Sequence, residues 1–364
     1  MKQTEEKSFR DLLKEVVSPG LCTVCGTCIA ACPYNALIPR EESFKRLELH
    51  ELEITSGIYK SIEDLCEKCG FCYHNCPITT FNLQNAEKEC FGTIAKDELG
   101  NFLEAYRAQA IDPKIMENAQ NGGVATALLT YVLEKKLVEV AVAVTSMEDQ
   151  AWKPKPAVID NPDNLGKTQK TKYTPAATVD YIRSAIIERA SSKIAVVATP
   201  CQVHGIWTTA LSPKRYRKIF GRTKLIIGVF CYGTYSYHDL FTEFLAKKQG
   251  IVISNITKLD LDTEKMLVYL QGGLQQVIPR HELHTYVRES CRVCSDFTNR
   301  LADISLGGVG SPEHWTTVFI RTKRGKRIFD AAVKEGYVRI APLSEDAIDR
   351  IKRLAKQKCD EGAR

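Results

Sequence analysis

The sequence lacks any apolar run approaching the roughly 20 residues that a membrane-spanning helix needs. Its first residues, MKQTEEKSFRDLLKEVV, are polar and amphipathic, without the apolar core and small-residue cleavage site of a secretory leader. These absences lead us to expect a soluble, cytoplasmic protein; a peripheral seat on the inner face of the cell membrane stays open. Net charge is also scarce: 50 Lys and Arg against 44 Asp and Glu leave +6 over 364 residues. That is too little for the concentrated basic face of a nucleic-acid-binding domain, so no nucleic-acid partner is expected. A mild basic balance suits an acidic cofactor, substrate or partner, and serves solubility equally well. No segment is long, polar and aromatic-free. With 44% hydrophobic and 26% charged residues, gross disorder is not expected, and the length suits two or three domains.

Cysteine is what the chain has in quantity. There are 14, nine of them within residues 22–90 and none between Cys90 and Cys201. In a reducing compartment, dense cysteine points to metal rather than disulfides. CTVCGTCIAACP (22–33) and CEKCGFCYHNCP (66–77) repeat one spacing, C-x2-C-x2-C-x3-C-P. This is the bacterial ferredoxin pattern, in which the fourth cysteine of each run ligates the other cluster. One [4Fe–4S] cluster is therefore expected on Cys22, Cys25, Cys28 and Cys76, and a second on Cys66, Cys69, Cys72 and Cys32. Gly26 and Gly70 let each loop turn beneath its cluster. A pair of zinc knuckles is the alternative, disfavoured by two full sets of four with trailing prolines. Between the runs, RLELHELEI (46–54) alternates like a strand. Cys90 reads as a spare, buried thiol.

The boundary of this ferredoxin module is placed near residue 95. From 96 to 340 apolar strands alternate with helices, which predicts an α/β domain with a mixed sheet. Expected strands lie at 138–144, 193–198, 224–230, 256–261, 266–270, 302–306, 316–321 and 338–343. Expected helices lie at 123–136, 178–190, 236–248 and 325–336, followed by a C-terminal helix within 341–364. Neither that last helix nor Cys359 is given a role. Cys201 and Cys231 end predicted strands, where open α/β sheets gather ligands. With the C-x2-C pair Cys291 and Cys294 they would complete a third set of four. Spacing alone leaves zinc, unrelated buried thiols, or a redox dithiol at Cys291 and Cys294 as alternatives. Clusters pass single electrons, and a flavin is the usual converter to electron pairs. NGGVATALL (121–129) puts two glycines at the mouth of a helix, where backbone amides can take a phosphate; it reads equally as a turn and helix cap.

NGGVATALL, KYTP (172–175), ATPCQVHGI (198–206), GVFCYG (228–233), CRVCSDFTNRLADISLGGVG (291–310) and WTTVFIRTKRG (315–325), in this order, resemble the beta subunits of coenzyme F420 hydrogenases and dehydrogenases. The resemblance implies FAD, a [4Fe–4S] cluster on Cys201, Cys231, Cys291 and Cys294, and hydride exchange with the deazaflavin F420. It implies FAD near Asn121, Gly122, Gly123 and Thr126, with Lys172, Tyr173, Thr199, Pro200 and Gln202 close by and Gly307, Gly308 and Gly310 lining the same pocket. Fused behind a two-cluster module, the domain looks most like the input subunit of the archaeal F420H2 dehydrogenase, a protein of methanogenic metabolism that feeds a membrane respiratory complex. F420-dependent sulfite reductases have a similar arrangement, and their siroheme half is expected to be absent here. The implied reaction takes a hydride from reduced F420 to FAD and relays electrons through three clusters to a partner protein. His204 is a candidate proton or hydrogen-bond donor, and Lys153, Lys155, Lys167, Lys170 and Lys172 are candidates for docking the anionic tail of F420. Two rivals stand beside this reading. One is a ferredoxin-linked flavin reductase of another organic substrate, such as a tetrapyrrole. The other is a pure electron-transfer subunit of a hydrogenase, formate dehydrogenase or heterodisulfide reductase complex.

Overall fold

The computed structural model describes residues 7–34, 36–39, 47–49, 69–214 and 216–362. Cys66 and most of the expected strand 46–54 lie outside these residues. The strands are β1 (Leu37–Pro39), β2 (Leu47–Leu49), β3 (Glu104–Ala110), β4 (Val140–Ser146), β5 (Pro154–Ile159), β6 (Ile194–Ala198) and β7 (Thr223–Val229). They continue with β8 (Ile256–Leu261), β9 (Lys265–Leu270), β10 (Gln275–Pro279), β11 (Ile304–Gly307), β12 (Thr316–Ile320) and β13 (Val338–Pro342).

Eight strands form one mixed sheet in the order β13-β3-β12-β11-β7-β6-β4-β5. Its centre, β11-β7-β6-β4, is parallel, and β5 and β12 flank that centre antiparallel. The central strands are buried on both faces, which explains their continuous apolar runs. Two of the eight were not expected. β3 reads EAYRAQA, too polar for a period-2 signal, and is held by pairing with β12 and β13. β5 carries Pro154 and Pro156, which an edge strand tolerates because one side of its backbone has no ladder to complete.

Helices Val124–Glu134 and Lys323–Lys334 cover one stretch of the sheet with Leu128, Leu129 and Phe329 fully buried. Helices Thr178–Glu188 and Pro200–Leu211 bury Ile182, Val203 and Ile206 against Val196 and Ile226. Each such side chain contributes about 1.5–3 kcal/mol by leaving water. Helix Glu345–Gly362 lies over β3 and β12, burying Ile351 and Ala355 with Phe319 and Phe297. A satellite of helix His238–Lys248 and the sheet β10-β9-β8 has its own core around Phe241, Phe244 and Met266.

The N-terminal module has a small core of Phe9, Leu12, Val16, Ile29 and its cysteines. Gly26 and Gly70, at φ of +86° and +74°, open the short helices Thr27–Ala31 and Phe71–His74. Between the two runs, β1 and β2 pair antiparallel. Helix Leu83–Phe91 follows the module and sinks Ala86 into the core of the larger domain. There Arg300 clasps the buried Glu87 with Nε and Nη2 at 2.8 and 2.6 Å from Oε1.

Candidate iron–sulfur centres and cofactor cleft

A cavity in the module is walled by Cys22, Val24, Cys25, Cys28, Cys76 and Pro77, among others. The four cysteines are those assigned to the first cluster, with Cys76 delivered from the opposite run. Burial pushes the Cys28 thiol up, and its neighbours Cys22, Cys25, Cys76 and Cys72 push the same way. Burial does the same at Cys22 and Cys76. Thiols so placed would not ionise unaided, whereas coordination to iron deprotonates them outright. Cys69, Cys72 and Cys32 of the second set lie nearby in the module, and the Ala36 amide donates to Cys32 Sγ at 3.3 Å.

The third set assembles at the carboxyl ends of β6 and β7. Cys201 opens helix Pro200–Leu211, Cys231 follows β7, and Cys291 and Cys294 flank the end of helix Glu289–Arg292. Burial pushes Cys201 up to about 12, with Cys25, Cys294 and Cys291 adding to it against a hydrogen bond with Thr199. Cys231 and Cys294 are raised by burial too, with Cys291 beside both and the ammonium of Lys358 opposing. Thr199 Oγ1 and Cys201 Sγ share a hydrogen bond at 3.3 Å, and the Thr234 amide donates to Cys291 Sγ at 3.3 Å. Such bonds favour the thiolate and tune a bound cluster. In a cubane cluster each of the four thiolates binds a separate iron corner. The donor chemistry and spacing of both cysteine sets fit iron–sulfur clusters.

The first and third sets adjoin. Helix Thr27–Ala31 lies against helix Pro200–Leu211 at Gly205, where a Cβ would stand 2.0 Å from Thr27 Oγ1 and 3.5 Å from Cys25 Sγ. The Val179 amide donates to Cys25 O at 3.0 Å, and Arg183 donates to Ile29 O at 3.1 Å. His204 is part of this seam. Its Nε2 meets Asp296 Oδ2 at 2.9 Å, and its ring stacks on Phe81 at 4.6 Å. Asp296 is fully buried. Burial pushes its carboxyl up, but the His204 contact, with Arg300 and Arg321, outweighs burial and holds it below the ordinary range.

The glycines proposed to hold the cofactor lie at the same edge of the sheet. Gly122 donates to Thr316 Oγ1 at 2.9 Å and has no room for a side chain, since a Cβ would stand 2.5 Å from Ala108 O. Gly123, at φ +68°, caps helix Val124–Glu134, and Thr126 is buried in its first turn. Asn121 faces Gly308, where a Cβ would fall 2.9 Å from Asn121 Nδ2. The buried Thr174 Oγ1 has no partner. Helix Val124–Glu134, eleven residues long and opened by Gly123, presents its first-turn amides there, chemistry that fits a phosphate-bearing cofactor such as FAD.

The other expected contacts have work inside the fold. Lys172 Nζ donates to the carbonyls of Thr168, Gln169 and Lys170 at 3.2, 2.7 and 3.0 Å. Burial pushes its ammonium down to about 7, with Lys170 adding, while the three carbonyls favour the charged form. Tyr173, at φ +58°, is half-buried against the satellite core and its hydroxyl accepts the Leu261 amide. Thr199 and Gln202 form the capping box of helix Pro200–Leu211, with Pro200 in its first turn, and Gln202 Nε2 also holds Ala176 O and Thr178. Gly307 is pressed by Phe230, and Gly310, at φ +88°, by Ile351 of the C-terminal helix. Lys153 is buried, so that of the five candidate lysines Lys155 and Lys167 are exposed and Lys170 is half-buried.

Sequence reasoning passed over helix Pro200–Leu211, although Thr-Pro-Cys-Gln is a capping box with proline in the first turn. It also passed over Thr27, Phe81, Asp296 and Asn299. Asn299 Nδ2 ties the ends of β6 and β7 through Ala198 O at 2.8 Å and Val229 O at 3.3 Å. The one local signal was Gly205, a glycine inside a helix, which marks close approach by another chain segment.

Residues 21–80 match a model of the 4Fe–4S dicluster domain. Residues 105–183 and 191–346 match the N-terminal and C-terminal parts of the coenzyme F420 hydrogenase/dehydrogenase beta subunit. The chain is 34% identical over 262 residues to the beta subunit of the coenzyme F420 hydrogenase of Methanothermobacter thermautotrophicus, covering 71% of this chain and 92% of that protein. A component of the F(420)H(2) dehydrogenase of Methanosarcina mazei is 28% identical over 322 residues, covering 87% of this chain and 84% of that one. Among solved structures, a chain of the F420-reducing [NiFe] hydrogenase complex of Methanosarcina barkeri superposes with a TM-score of 0.71 at 30% identity, covering 74% of this chain and 93% of its own. Fold and cysteine sets define an iron–sulfur electron-transfer protein of oxidoreductase type. The chain belongs to the family of coenzyme F420 hydrogenase/dehydrogenase beta subunits, with a dicluster ferredoxin module ahead of the family domain.

Proposed function

We propose that this chain oxidises reduced coenzyme F420 and relays its electrons through three [4Fe–4S] clusters to a partner protein, as an F420H2 dehydrogenase input subunit would. The chemistry that FAD supplies at such a site is hydride exchange with F420 and release of the two electrons singly. The observation that carries the reading is the approach of the helix bearing Cys201 to the first cysteine set, with Cys25 Sγ 3.5 Å from where a Gly205 Cβ would stand. On this reading electrons would pass from the third set, which includes Cys201, to the first, which includes Cys25, and from there to the second.

The protein's own contributions are positional. Gly122, Gly123 and the first turn of helix Val124–Glu134 would hold a phosphate; Asn121, Thr126, Thr174 and Gly308 would shape the cleft around it. Lys172, Tyr173, Thr199 and Gln202 fix the wall, and His204 holds the module to the domain through Asp296 and Phe81. No side chain need act as general acid or base. No helix among the described residues is long and apolar enough to cross a membrane, and a cytoplasmic protein docking on a larger complex belongs to the same reading.

The test is anaerobic. The purified protein, loaded with iron, sulfide and FAD, is mixed with reduced F420 and a viologen dye. Dye reduction coupled to F420 oxidation is expected. A protein that binds flavin and iron but ignores F420 defeats the reading in favour of a ferredoxin-linked reductase, and one that binds no flavin defeats it in favour of a simple electron relay.

A further inference from the structure

Each cysteine set receives a cation from outside the ferredoxin module, seated on the backbone carbonyl of one of its cysteines. Arg288 Nη2 donates to Cys22 O at 2.6 Å, Lys214 Nζ donates to Cys69 O, and Lys358 Nζ lies 3.4 Å from Cys291 O. The third is the most enclosed. Lys358 is only 3% exposed, and its ammonium also donates to Tyr232 O at 2.6 Å and stands 5.2 Å from the centre of the Tyr232 ring. It comes from helix Glu345–Gly362, nearly all of which lies beyond the matched family segment ending at residue 346. That helix closes over the site, leaving no room for a Cβ at Gly362, which would stand 2.9 Å from Cys294 O.

An ammonium buried against carbonyls is costly unless negative charge lies close by. A thiolate-ligated [4Fe–4S] centre supplies that charge and gains one more negative charge on reduction. We propose that Lys358 raises the reduction potential of the third cluster by stabilising its reduced form, so that this cluster is the one to take electrons from the cleft. The inference rests on the reading of Cys201, Cys231, Cys291 and Cys294 as cluster ligands. Asp296 is a negative charge beside Cys294, and its carboxylate is engaged by His204 Nε2 at 2.9 Å. Glu361 accepts the Tyr232 hydroxyl at 2.9 Å. Lys358 is thus a positioned charge that acts through the cluster, and its signature is a potential.

Lys358→Gln keeps a hydrogen-bond donor and removes the charge; Lys358→Arg keeps the charge. Both are purified as the full chain with clusters loaded anaerobically and titrated by EPR-monitored potentiometry. The third cluster's signal is the one lost in Cys231→Ser. In Lys358→Gln the reduced-to-oxidised ratio of that cluster at fixed potential is expected to fall about tenfold, equivalent to about 59 mV for a one-electron couple. Lys358→Arg should stay near the parent, and the first cluster, whose cation is Arg288, should not move in either. An unmoved third cluster in Lys358→Gln overturns the proposal, as do equal shifts in both variants or loss of the third cluster from both. A parent protein carrying only about eight irons defeats the cluster reading itself.

Discussion

Gly205 gives way to Thr27: the helix that carries Cys201 has no side chain at the point where the threonine of the first cluster loop presses on it. Gly205→Ala should force the two helices apart, costing about 1–3 kcal/mol by overpacking. Stopped-flow traces should show flavin reduction by F420 unchanged and onward transfer to the dye slowed. Equal slowing of both steps would show that the seam does not lie on the electron path.

Cys231→Ser should remove about a third of the iron, leaving the two module clusters. Reduced F420 should still bleach the flavin while dye reduction collapses. Full dye reduction in a protein shown to lack that iron would mean that electrons bypass the third set.

Glu87 and Arg300 join helix Leu83–Phe91 to the larger domain through a buried pair. Glu87→Gln leaves a guanidinium uncompensated, and denaturant titration should record a loss of about 3–5 kcal/mol. The double variant Glu87→Gln, Arg300→Met should recover most of it.

Burial pushes the Asp180 carboxyl up to about 6 from an ordinary 3.8, against the pull of Arg183. The folded state therefore binds more protons through that window, so stability falls as pH rises through it, and the penalty is complete above about pH 6. Asp180→Asn removes the penalty. Its gain should reach at most about 3 kcal/mol at pH 7.5 and shrink steadily as pH falls through the window. Thermal unfolding at pH 7.5 and 5 measures it, and an equal gain at both values would contradict the assignment.

Lys155 and Lys167 are the exposed members of the lysine group. Reversing both to Glu should raise the KM for F420 about three- to tenfold at low salt, with the difference fading at high salt. A KM unchanged at low salt removes these lysines from the docking surface.

Much of this protein could be read in its sequence because the signals are local. The ferredoxin runs announce themselves by spacing, and Cys76 of the second run walls one cavity with Cys22, Cys25 and Cys28 of the first. The central strands and helix Val124–Glu134 show in apolar patterning because both are buried. β3 and β5 did not show, since their stability comes from neighbours in the sheet rather than from their own composition. Lys172, Tyr173 and Gln202 carry motif positions, yet their polar atoms serve carbonyls and amides inside the fold, and only the folded partners reveal it.

The sequence by itself determined the chemistry: thiols in ferredoxin spacing, a third set divided among strand ends and a loop, and glycines at a helix mouth. Tertiary structure alone decided which cysteine sets lie side by side and which charges stand beside them. Cys25 and Cys201 lie 176 positions apart in the chain, and nothing local to either announces that the helices bearing them meet at Gly205. Lys358 likewise reaches the third set only because the C-terminal helix packs across β3 and β12. Ligand chemistry is a property of residue types and short spacings, whereas the distance between two charges depends on how remote segments pack.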